Sequence, residues 1–539
     1  MINFDYFRTE SIKPDEILNL FVDNPVDRHI VDSFKSIKPT IIEGSRGIGK
    51  SFLMKVAFQE LSDSFNEDRI LPVYVTFRES SLLHSKRDAN QFKHWMIAKI
   101  IRESLKELRK KGISVDIFSE SLLWDGGEVD LGKQTNKLKA IIRDYENSFN
   151  DPEKELDTSL IPNIDDLLDA YEELCGNANI SRICIFFDEA AHMFRPQQQR
   201  DFFSLYRELR SPYVSANAAV YPGVTHYGAS FEKTHDTSFI QLERDINSPD
   251  YLKVMTQMVF NQLSNDDIEK IRDNIDYLNT LAFCASGNPR MLLTTISQAS
   301  NWKTNAVEKA LKEFYRDKIW AEHTQLGEKY EGHEPVVTWG RKFLEDVIIP
   351  ETENKNTKRI PYNESTIYFQ VHKDIPAIAN EALRLLCYTG IIRKIGDGVK
   401  GSHSFIGTRY EIKYGCILAK DANPIKNSKN LKQHLTTGLV TEIGINNQSF
   451  NDLPEIELDK VQEEDTLKVV LNQLQKSIDV LDLPDWQKNR LKAARILTIE
   501  NLLNETEEGI KDKIYMVGPV RSQKIYNVAI AELLEYISG

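Results

Sequence analysis

Two short clusters of residues carry the chemistry that this sequence predicts. The first is a run with the spacing GxxxxGKS, made of Gly44, Ser45, Arg46, Gly47, Ile48, Gly49, Lys50 and Ser51. Residues 38–43, which are predicted to form a short buried strand, precede it, and an apolar helical stretch at 52–58 follows. This strand–loop–helix context indicates a phosphate-binding loop, and the alternative is a chance glycine-rich turn.

Each residue type in this loop suits the binding of a polyphosphate. Glycines let backbone N–H groups curl towards an anion, and the helix that starts near Gly49 adds the positive end of its dipole. We expect Lys50 to reach the β- and γ-phosphates and the Ser51 hydroxyl to bind Mg²⁺. All eight residues are therefore predicted to form a nucleotide-binding loop.

The second cluster is the acidic pair Asp188-Glu189. It follows residues 181–187, an apolar run rich in β-branched and aromatic residues that is typical of a strand buried on both faces. At the tip of such a strand, Asp188 can bind in the Mg²⁺ shell and Glu189 can act as a general base on water. The alternative is an acid pair that only caps the strand.

The surrounding elements predict a sheet that brings both clusters together. Further strands are expected at 70–77, 217–224 and 239–242, with helical stretches such as 92–108 between them. Alternating strands and helices indicate an α/β fold with a parallel sheet covered by helices. Ligands of such sheets bind beyond the carboxyl ends of the strands, where Gly44 and Asp188 both fall.

The order of these motifs resembles that of a known family. The loop, the acidic pair and a following strand are succeeded by Gly287-Asn288-Pro289-Arg290 at a predicted helix start. This run resembles the sensor 2 of the origin-recognition (initiator) clade of AAA+ ATPases, and the signalling STAND ATPases carry a related Gly-x-Pro motif. The resemblance covers residues 1–335 and, more loosely, a winged helix to about 420.

The resemblance implies a P-loop ATPase of the AAA+ type that uses ATP and Mg²⁺. Its catalytic residues would be Lys50, Glu189 and Arg290, while Ser51 and Asp188 would hold the metal. Arg290 would project from a helical lid onto the γ-phosphate and couple the nucleotide state to the angle of the lid.

Two family elements depart from the usual pattern in this sequence. Thr225 matches the sensor 1 location only roughly, because Pro222-Gly223 interrupts the predicted strand. The segment 226–238, where AAA+ rings place an arginine finger, contains no arginine. Arg207 and Arg210 are the nearest candidates, and the alternative is that they are solvated helix charges. A homo-oligomer is expected, with activation by a neighbouring subunit left open.

Five segments are predicted along the 539 residues. They are an AAA+ core at 1–245 with a helical insertion at 80–180, a helical lid at 246–335, a winged-helix-like domain at 336–420, a linker at 421–470 and a tandem helix-hairpin-helix domain at 471–539. The winged-helix prediction depends on a helix at 380–388 and strands at 391–395 and 409–414. Four basic residues there either face a DNA backbone or are ordinary surface charges: Lys394, Lys400, Arg409 and Lys413.

The last segment resembles the tandem helix-hairpin-helix fold of the C-terminal domain of the bacterial RNA polymerase α-subunit. The similarity lies in the pattern Leu-x-x-Ala-x-Ile-x-Thr-Ile-x-x-Leu-Leu, which begins at Leu491. Gly518 would let the hairpin backbone approach a phosphate, with Arg521 and Lys524 beside it. Such modules also bind proteins, so both kinds of partner stay open.

Composition restricts the class of protein. The net charge of −13 argues against a dedicated nucleic-acid binder, although it does not exclude a local basic face. Five cysteines without a CxxC pair predict buried free thiols in a reducing cytosol. The sequence shows no apolar run long enough for a membrane span and no signal peptide, so we expect a cytoplasmic protein without a membrane partner.

Three hypotheses about function follow. The first is an ATP-hydrolysing switch that engages DNA through its C-terminal modules. The second is a signalling or defence-type regulatory ATPase that assembles with a protein effector. The third is a scaffold that binds ATP and hydrolyses it negligibly, and Glu189 argues against this possibility.

Overall fold

A computed structural model describes most of the chain. The described residues are 4, 6, 9–77, 91–114, 131–146, 161–189, 196–228, 231–329, 333–402, 405–455, 474–481, 483–505, 507–514 and 517–538. Parts of the predicted insertion at 80–180 and the acidic part of the predicted linker lie outside these residues. Within the described part of the chain, no helix is both long and apolar enough to cross a bilayer.

The first part of the chain folds around a five-stranded parallel sheet. Its strands are β1 (Thr40–Glu43), β2 (Ile70–Thr76), β3 (Arg182–Asp188), β4 (Val214–Val220) and β5 (Ser238–Gln241). They lie in the order β2-β3-β4-β1-β5, and every neighbouring pair is parallel. The inner strands β3 and β4 are buried along almost their whole length, as expected for parallel strands covered by helices on both faces. The predicted α/β architecture is confirmed.

Helices flank this sheet on both faces. They are α1 (Ile17–Leu20), α2 (Pro25–Lys35), α3 (Lys50–Asp63), α4 (Phe65–Asp68), α5 (Gln91–Lys110), α6 (Leu131–Glu146), α7 (Ile164–Ala178), α8 (Pro196–Glu208) and α9 (Lys233–Asp236). The predicted strand at 217–224 is shifted, because β4 already ends at Val220. Pro222 has no N–H to donate to a sheet, and Gly223 has a φ of +81°, so the chain turns there.

A helical segment follows the sheet where the lid is predicted, and it is called the lid here for its place in the chain. It comprises α10 (Tyr251–Phe260), α11 (Asn265–Arg272), α12 (Ile275–Ala285), α13 (Pro289–Gln298), α14 (Thr304–Lys312) and α15 (Ile319–Lys329). Asn288 caps α13, since its side chain accepts a hydrogen bond from the N–H of Met291 over 3.2 Å. Pro289 follows in the first turn, where its missing N–H costs nothing.

Residues 333–455 contain a second sheet and the helices that pack on it, and this segment is called here the hairpin domain. Its strands are β6 (Tyr368–His372), β7 (Ile392–Lys400), β8 (Ile406–Ile412) and β9 (Thr441–Ile443), in the order β7-β8-β6-β9. Its helices are α16 (Glu334–Lys342), α17 (Ile349–Arg359), α18 (Ala377–Thr389), α19 (Tyr414–Leu418) and α20 (Pro424–Gln433). The helix and the antiparallel hairpin expected from the sequence are α18 and β7–β8.

The predicted linker at 421–470 is wrong over its first part. Residues 424–433 form α20, and β9 pairs in parallel with β6, with Thr441 opposite Phe369. The composition of this segment is polar and β9 is only three residues long, so neither its hydrophobicity nor its period marked it as structured. Its sheet pairing comes from a strand more than 60 residues earlier in the chain, which a local pattern cannot reveal.

The C-terminal segment has an apolar core of its own. Its helices are α21 (Asp485–Ala493), α22 (Ile499–Leu503), α23 (Glu507–Lys513) and α24 (Pro519–Ser538). Their buried side chains, such as Leu491, Ile499 and Ile525, form one cluster, whereas the sheet, the lid and the hairpin domain share another. The tandem helix-hairpin-helix arrangement stays a prediction.

Candidate functional site

The glycine-rich loop joins β1 directly to α3. Gly49, immediately before the first residue of α3, has a φ of +109°, and Gly47 has a φ of +78°. A Cβ atom at Gly47 would lie 2.8 Å from Cβ of Arg290, so a larger residue would clash with the lid. The loop therefore needs glycine both for its backbone shape and for the close approach of α13.

Lys50 is buried at the start of α3, and its Nζ donates to the carbonyl oxygens of Gly44 and Ser45, over 2.6 and 3.2 Å. The same Nζ lies 3.7 Å from the centre of the Tyr221 ring. Burial lowers the pKa of Lys50 to about 7, against an opposing contribution from Asp188, and the positive charge of Arg290 lowers it further. The favourable charge of Asp188 therefore does not offset the cost of burying this ammonium group.

The two metal-ligand candidates meet at the carboxyl end of β3. Ser51 Oγ donates to Oδ1 of Asp188 over 2.9 Å, and the N–H of Glu189 donates to the same oxygen over 3.0 Å. Oδ2 of Asp188 accepts a hydrogen bond from the hydroxyl of Tyr74 on β2, over 2.6 Å. The predicted partners Ser51 and Asp188, 137 positions apart in sequence, thus form one oxygen-rich cluster.

Glu189 adopts an unusual backbone conformation. Its φ of +60° lies in the left-handed region, which residues other than glycine rarely adopt. Oε2 of Glu189 accepts a hydrogen bond from Oγ1 of Thr76, at the end of β2, over 2.9 Å. Backbone strain of this kind is concentrated at functional sites, where neighbouring contacts maintain it. Sequence reasoning found the acid but missed Thr76.

The predicted lid motif contacts the loop through backbone and side chain. The N–H of Arg290 lies 3.4 Å from the carbonyl oxygen of Gly47, and Nδ2 of Asn288 donates to the carbonyl of Arg46 over 2.8 Å. The side chain of Arg290 is close enough to depress the pKa of Lys50. The first turn of α13 and the loop therefore form a single surface.

A buried ion pair behind the loop was missed by the sequence analysis. Arg244 donates to the carbonyl oxygens of Ile48 and Gly287, over 2.7 and 3.2 Å, and its second nitrogen bonds Asp27 over 3.0 Å. It thereby joins α2, the loop and the lid. The only available signal was Asp27 itself, which occupies a buried position on the apolar face of α2.

Three further candidates lie away from this cluster. Thr225 Oγ1 donates to the carbonyl of Tyr221 over 2.7 Å and so closes its own turn, while Tyr221, the residue after β4, faces Lys50. Arg210 forms an ion pair with Asp236 over 3.3 Å. Arg207 is exposed on α8. Their roles as sensor 1 and as arginine finger stay predictions.

The hairpin domain packs against the same loop. A Cβ atom at Gly390, just after α18, would lie 3.2 Å from Cβ of Ser45. The ring of Tyr388 meets the ring of Tyr221 edge-on, with the two centres 5.8 Å apart. On the next strand, Arg393 bridges Glu411 and Glu243, and its contact with Glu243 spans 2.6 Å. The helix before the hairpin is thus buried against the sheet domain.

These contacts correct part of the predicted DNA surface. Lys413 is buried, and its Nζ donates to the carbonyl of Ala285 in the lid over 3.2 Å, so the prediction that it faces a phosphate backbone is wrong. Lys394 is paired with Asp397 over 2.5 Å, and Arg409 donates to the carbonyl of Thr437 over 3.3 Å. Lys400 is exposed near the tip of the hairpin.

The predicted contact residues of the C-terminal segment are exposed. Arg521 and Lys524 lie one turn apart at the start of α24. The guanidinium of Arg521 lies 5.5 Å from the ring centre of Trp486, itself 42% exposed. A Cβ atom at Gly518 would meet nothing within 4 Å, so the backbone before α24 is open to approach.

Comparison with known proteins gives the family context. The profile of the ORC-CDC6-like family matches residues 3–370. Orc1 of Aeropyrum pernix, solved in complex with DNA, aligns over 79% of this chain and 94% of its own, with 14% identity and a TM-score of 0.34. A Walker-type ATPase of Pyrococcus abyssi aligns over 79% and 97%, with 15% identity and a TM-score of 0.33. No curated protein matches the chain.

Proposed function

The chain belongs to the ORC-CDC6-like family, and from that premise we propose that it is an ATP-hydrolysing AAA+ switch that couples its nucleotide state to the engagement of DNA. The observation that carries this proposal is the meeting of Lys50, Ser51, Asp188 and Glu189 under the lid residue Arg290. Each supplies a group that phosphoryl transfer requires.

The residues of this cluster fit ATP with Mg²⁺. The burial of Lys50 and the nearby charge of Arg290 favour an anion, since negative charge would restore the depressed pKa of the ammonium. Ser51 and Asp188 offer hard oxygen ligands, which Mg²⁺ prefers. We assign residues 44–51 to the phosphates and Ser51 and Asp188 to the metal. When bound, Mg²⁺ would neutralise charge that develops on the phosphates.

Glu189 is the proposed general base. Its carboxylate would orient a water molecule and accept a proton from it, while Lys50 and Arg290 stabilise negative charge on the γ-phosphate. The hydrogen bond from Thr76 holds this carboxylate in a fixed direction. In our proposal, Glu189 must exchange that hydrogen bond for one to water before hydrolysis proceeds.

The coupling to the C-terminal part of the chain depends on Tyr221. Its ring contacts Nζ of Lys50 on one side and the ring of Tyr388 on the other. A phosphate that draws Lys50 away from the carbonyls of Gly44 and Ser45 would also remove the cation from the Tyr221 ring. The contact with α18 would then change, and the hairpin domain would shift in response to the nucleotide.

We propose the C-terminal segment as the part that contacts DNA. Arg521 and Lys524 are exposed next to the open backbone at Gly518, an arrangement suited to phosphate. The hairpin domain contributes less, because α18 is buried against the sheet domain. Two of its basic residues, Lys413 and Arg393, are engaged within the chain.

A protein effector is the second candidate partner. The use of basic hairpin residues for contacts inside the chain favours it, as does the net charge of −13. Assembly into a homo-oligomer is part of both proposals. Arg210 is paired with Asp236, so it could act as an arginine finger on a neighbouring subunit only after leaving that ion pair. Otherwise the arginine finger would be another residue, such as Arg207.

The test is the binding of labelled duplex DNA to the full chain, measured by anisotropy across a salt series with ATP, with ADP and without nucleotide. We expect affinity to depend on the nucleotide. Arg521→Ala and Lys524→Ala should each flatten the salt dependence by roughly one unit of slope, since each phosphate contact releases counterions.

The matched controls are Arg272→Ala and Lys309→Ala, two exposed basic residues of the lid. They remove the same charge from a surface to which we assign no DNA contact, so their salt dependence should equal that of the wild type. Absence of DNA binding at low salt in every nucleotide state would contradict the DNA proposal and favour a protein effector.

A further inference from the structure

We propose that Tyr74 is a positioning residue that fixes the carboxylate of Asp188 for Mg²⁺. This inference rests on the proposed function, because it concerns how the metal is held at the site described above. Tyr74 lies on β2, next to β3, and nothing in its local sequence marks it as a functional residue. Its hydroxyl acts on the metal only through Asp188.

The hydrogen bonds of Asp188 divide its two oxygen atoms. Oδ1 accepts from Ser51 Oγ over 2.9 Å and from the N–H of Glu189 over 3.0 Å, on the side of the phosphate-binding loop. Oδ2 accepts from the hydroxyl of Tyr74 over 2.6 Å, on the side of β2. With Oδ2 held by the phenol, Oδ1 points at Ser51, the other predicted metal ligand. The carboxylate therefore cannot turn without losing the tyrosine contact.

The ring of Tyr74 is itself fixed by its neighbours. It stacks on Phe186 of β3 at a centre distance of 6.3 Å and meets Phe58 of α3 edge-on at 5.9 Å. These two aromatic contacts, one from the neighbouring strand and one from α3, fix the direction in which the phenol hydroxyl points.

Hydrogen-bond donors that hold the side chains of metal ligands increase the affinity for the metal measurably. Loss of such an outer contact typically weakens metal binding by roughly 10- to 100-fold, because the ligand gains freedom that binding must remove. Tyr74→Phe removes one oxygen atom and keeps the ring that packs on Phe58 and Phe186. It therefore separates the hydrogen bond from the packing.

The experiment measures how Mg²⁺ supports the binding of a fluorescent ATP analogue to the full chain, with no hydrolysis required. For Tyr74→Phe, affinity in the presence of EDTA should equal that of the wild type, because Lys50 and the loop remain intact. The Mg²⁺ concentration for half-maximal enhancement should rise by about 10-fold or more. The titrations are carried out at low temperature, and circular dichroism verifies that the variant, which lacks one hydrogen bond, is folded.

The matched control is Tyr171→Phe, which removes a buried hydroxyl that bonds Ser104, 2.7 Å away, in the packing between α5 and α7. Its Mg²⁺ requirement should stay at the wild-type value. In an Asp188→Asn background, Tyr74→Phe should produce no further change.

Three outcomes are distinguishable. A wild-type chain that does not bind the ATP analogue would refute the proposed function. A wild-type chain with Mg²⁺-dependent binding, together with an unchanged Mg²⁺ requirement in Tyr74→Phe, would overturn this inference alone. An equal effect of Tyr74→Phe with and without the Asp188 carboxylate would also overturn it, because the tyrosine would then act through packing.

Discussion

The hydroxyl of Thr76 donates a hydrogen bond to Oε2 of Glu189 over 2.9 Å, from the last residue of β2 to the residue that follows β3. Two positions earlier on β2, Tyr74 donates to Asp188. One edge strand therefore holds both acids of the pair, each through one hydroxyl group. The carboxylate of Glu189 is thereby held in a fixed direction, with one of its oxygen atoms already accepting a hydrogen bond.

Thr76→Val should raise the basal rate of ATP hydrolysis. Valine has nearly the shape of threonine and lacks the donor, so Glu189 loses this hydrogen bond, and a carboxylate without it is a stronger base. A hydrogen bond to a charged group is worth on the order of 1.5 kcal/mol, which corresponds to an increase of roughly 10-fold. Steady-state phosphate release at saturating ATP measures it. A slower variant would show that Thr76 aids the reaction.

Arg290→Ala should leave nucleotide affinity within a few-fold and lower hydrolysis. In the proposed site the loop residues would make most of the phosphate contacts, whereas Arg290 would act on the γ-phosphate during the reaction. Equilibrium binding and single-turnover hydrolysis separate the two effects. Arg272→Ala, on the exposed side of the lid, is the matched control. Wild-type hydrolysis in Arg290→Ala would assign this arginine to surface packing.

Binding of ATP should take up a proton above neutral pH. The pKa of Lys50 is lowered to about 7, so the lysine is largely neutral at about pH 8, and phosphate contact favours its charged form. Calorimetry in two buffers of different ionisation enthalpy should give an uptake approaching one proton at about pH 8 and little at about pH 6. Equal heats in both buffers at the higher pH would contradict this.

The same pKa shift affects folding without nucleotide. Because the folded-state pKa lies below that of the unfolded chain, the unfolded chain binds more protons between about pH 7 and pH 10. The contribution of Lys50 to the free energy of unfolding therefore rises with pH in this window. Lys50→Met should remove that part of the pH dependence.

Arg393→Ala should loosen the hairpin domain from the sheet domain. It leaves Glu243 and Glu411 without the cation that joins them, and burial already raises the pKa of Glu243. Limited proteolysis should therefore cut the variant faster than the wild type. Lys394→Ala, which removes an exposed partner of Asp397 on the same strand, should behave as the wild type. Equal protection of both variants would show that apolar packing alone holds the domain.

The sequence was sufficient where the signal is local. The glycine loop, the Asp188-Glu189 pair and the start of α13 are each continuous runs, so spacing and residue type were enough to find them. The helix and hairpin at α18, β7 and β8 were found for the same reason. Strand β4 was misjudged at both ends: it begins at Val214 rather than at Asn217, and it ends at Val220, just before Pro222 and Gly223 turn the chain.

The contacts that position those residues could not be read from the chain. Tyr74 and Thr76 act on acids more than 100 positions away, and Arg244 meets Asp27 across 217 positions, through a sheet order that no local pattern encodes. The burial of Lys413 has the same origin, since only the packing of the hairpin domain on the lid hides it.

The most direct test of the central claim compares ATP binding and turnover in the wild type, Lys50→Ala and Glu189→Gln. We predict that Lys50→Ala loses binding, since the lysine supplies charge to the phosphates already in the ground state. Glu189→Gln should bind ATP normally and lose hydrolysis by about 10²-fold or more, because only the general base is removed. Undiminished hydrolysis by Glu189→Gln, with normal binding by Lys50→Ala, would contradict the account.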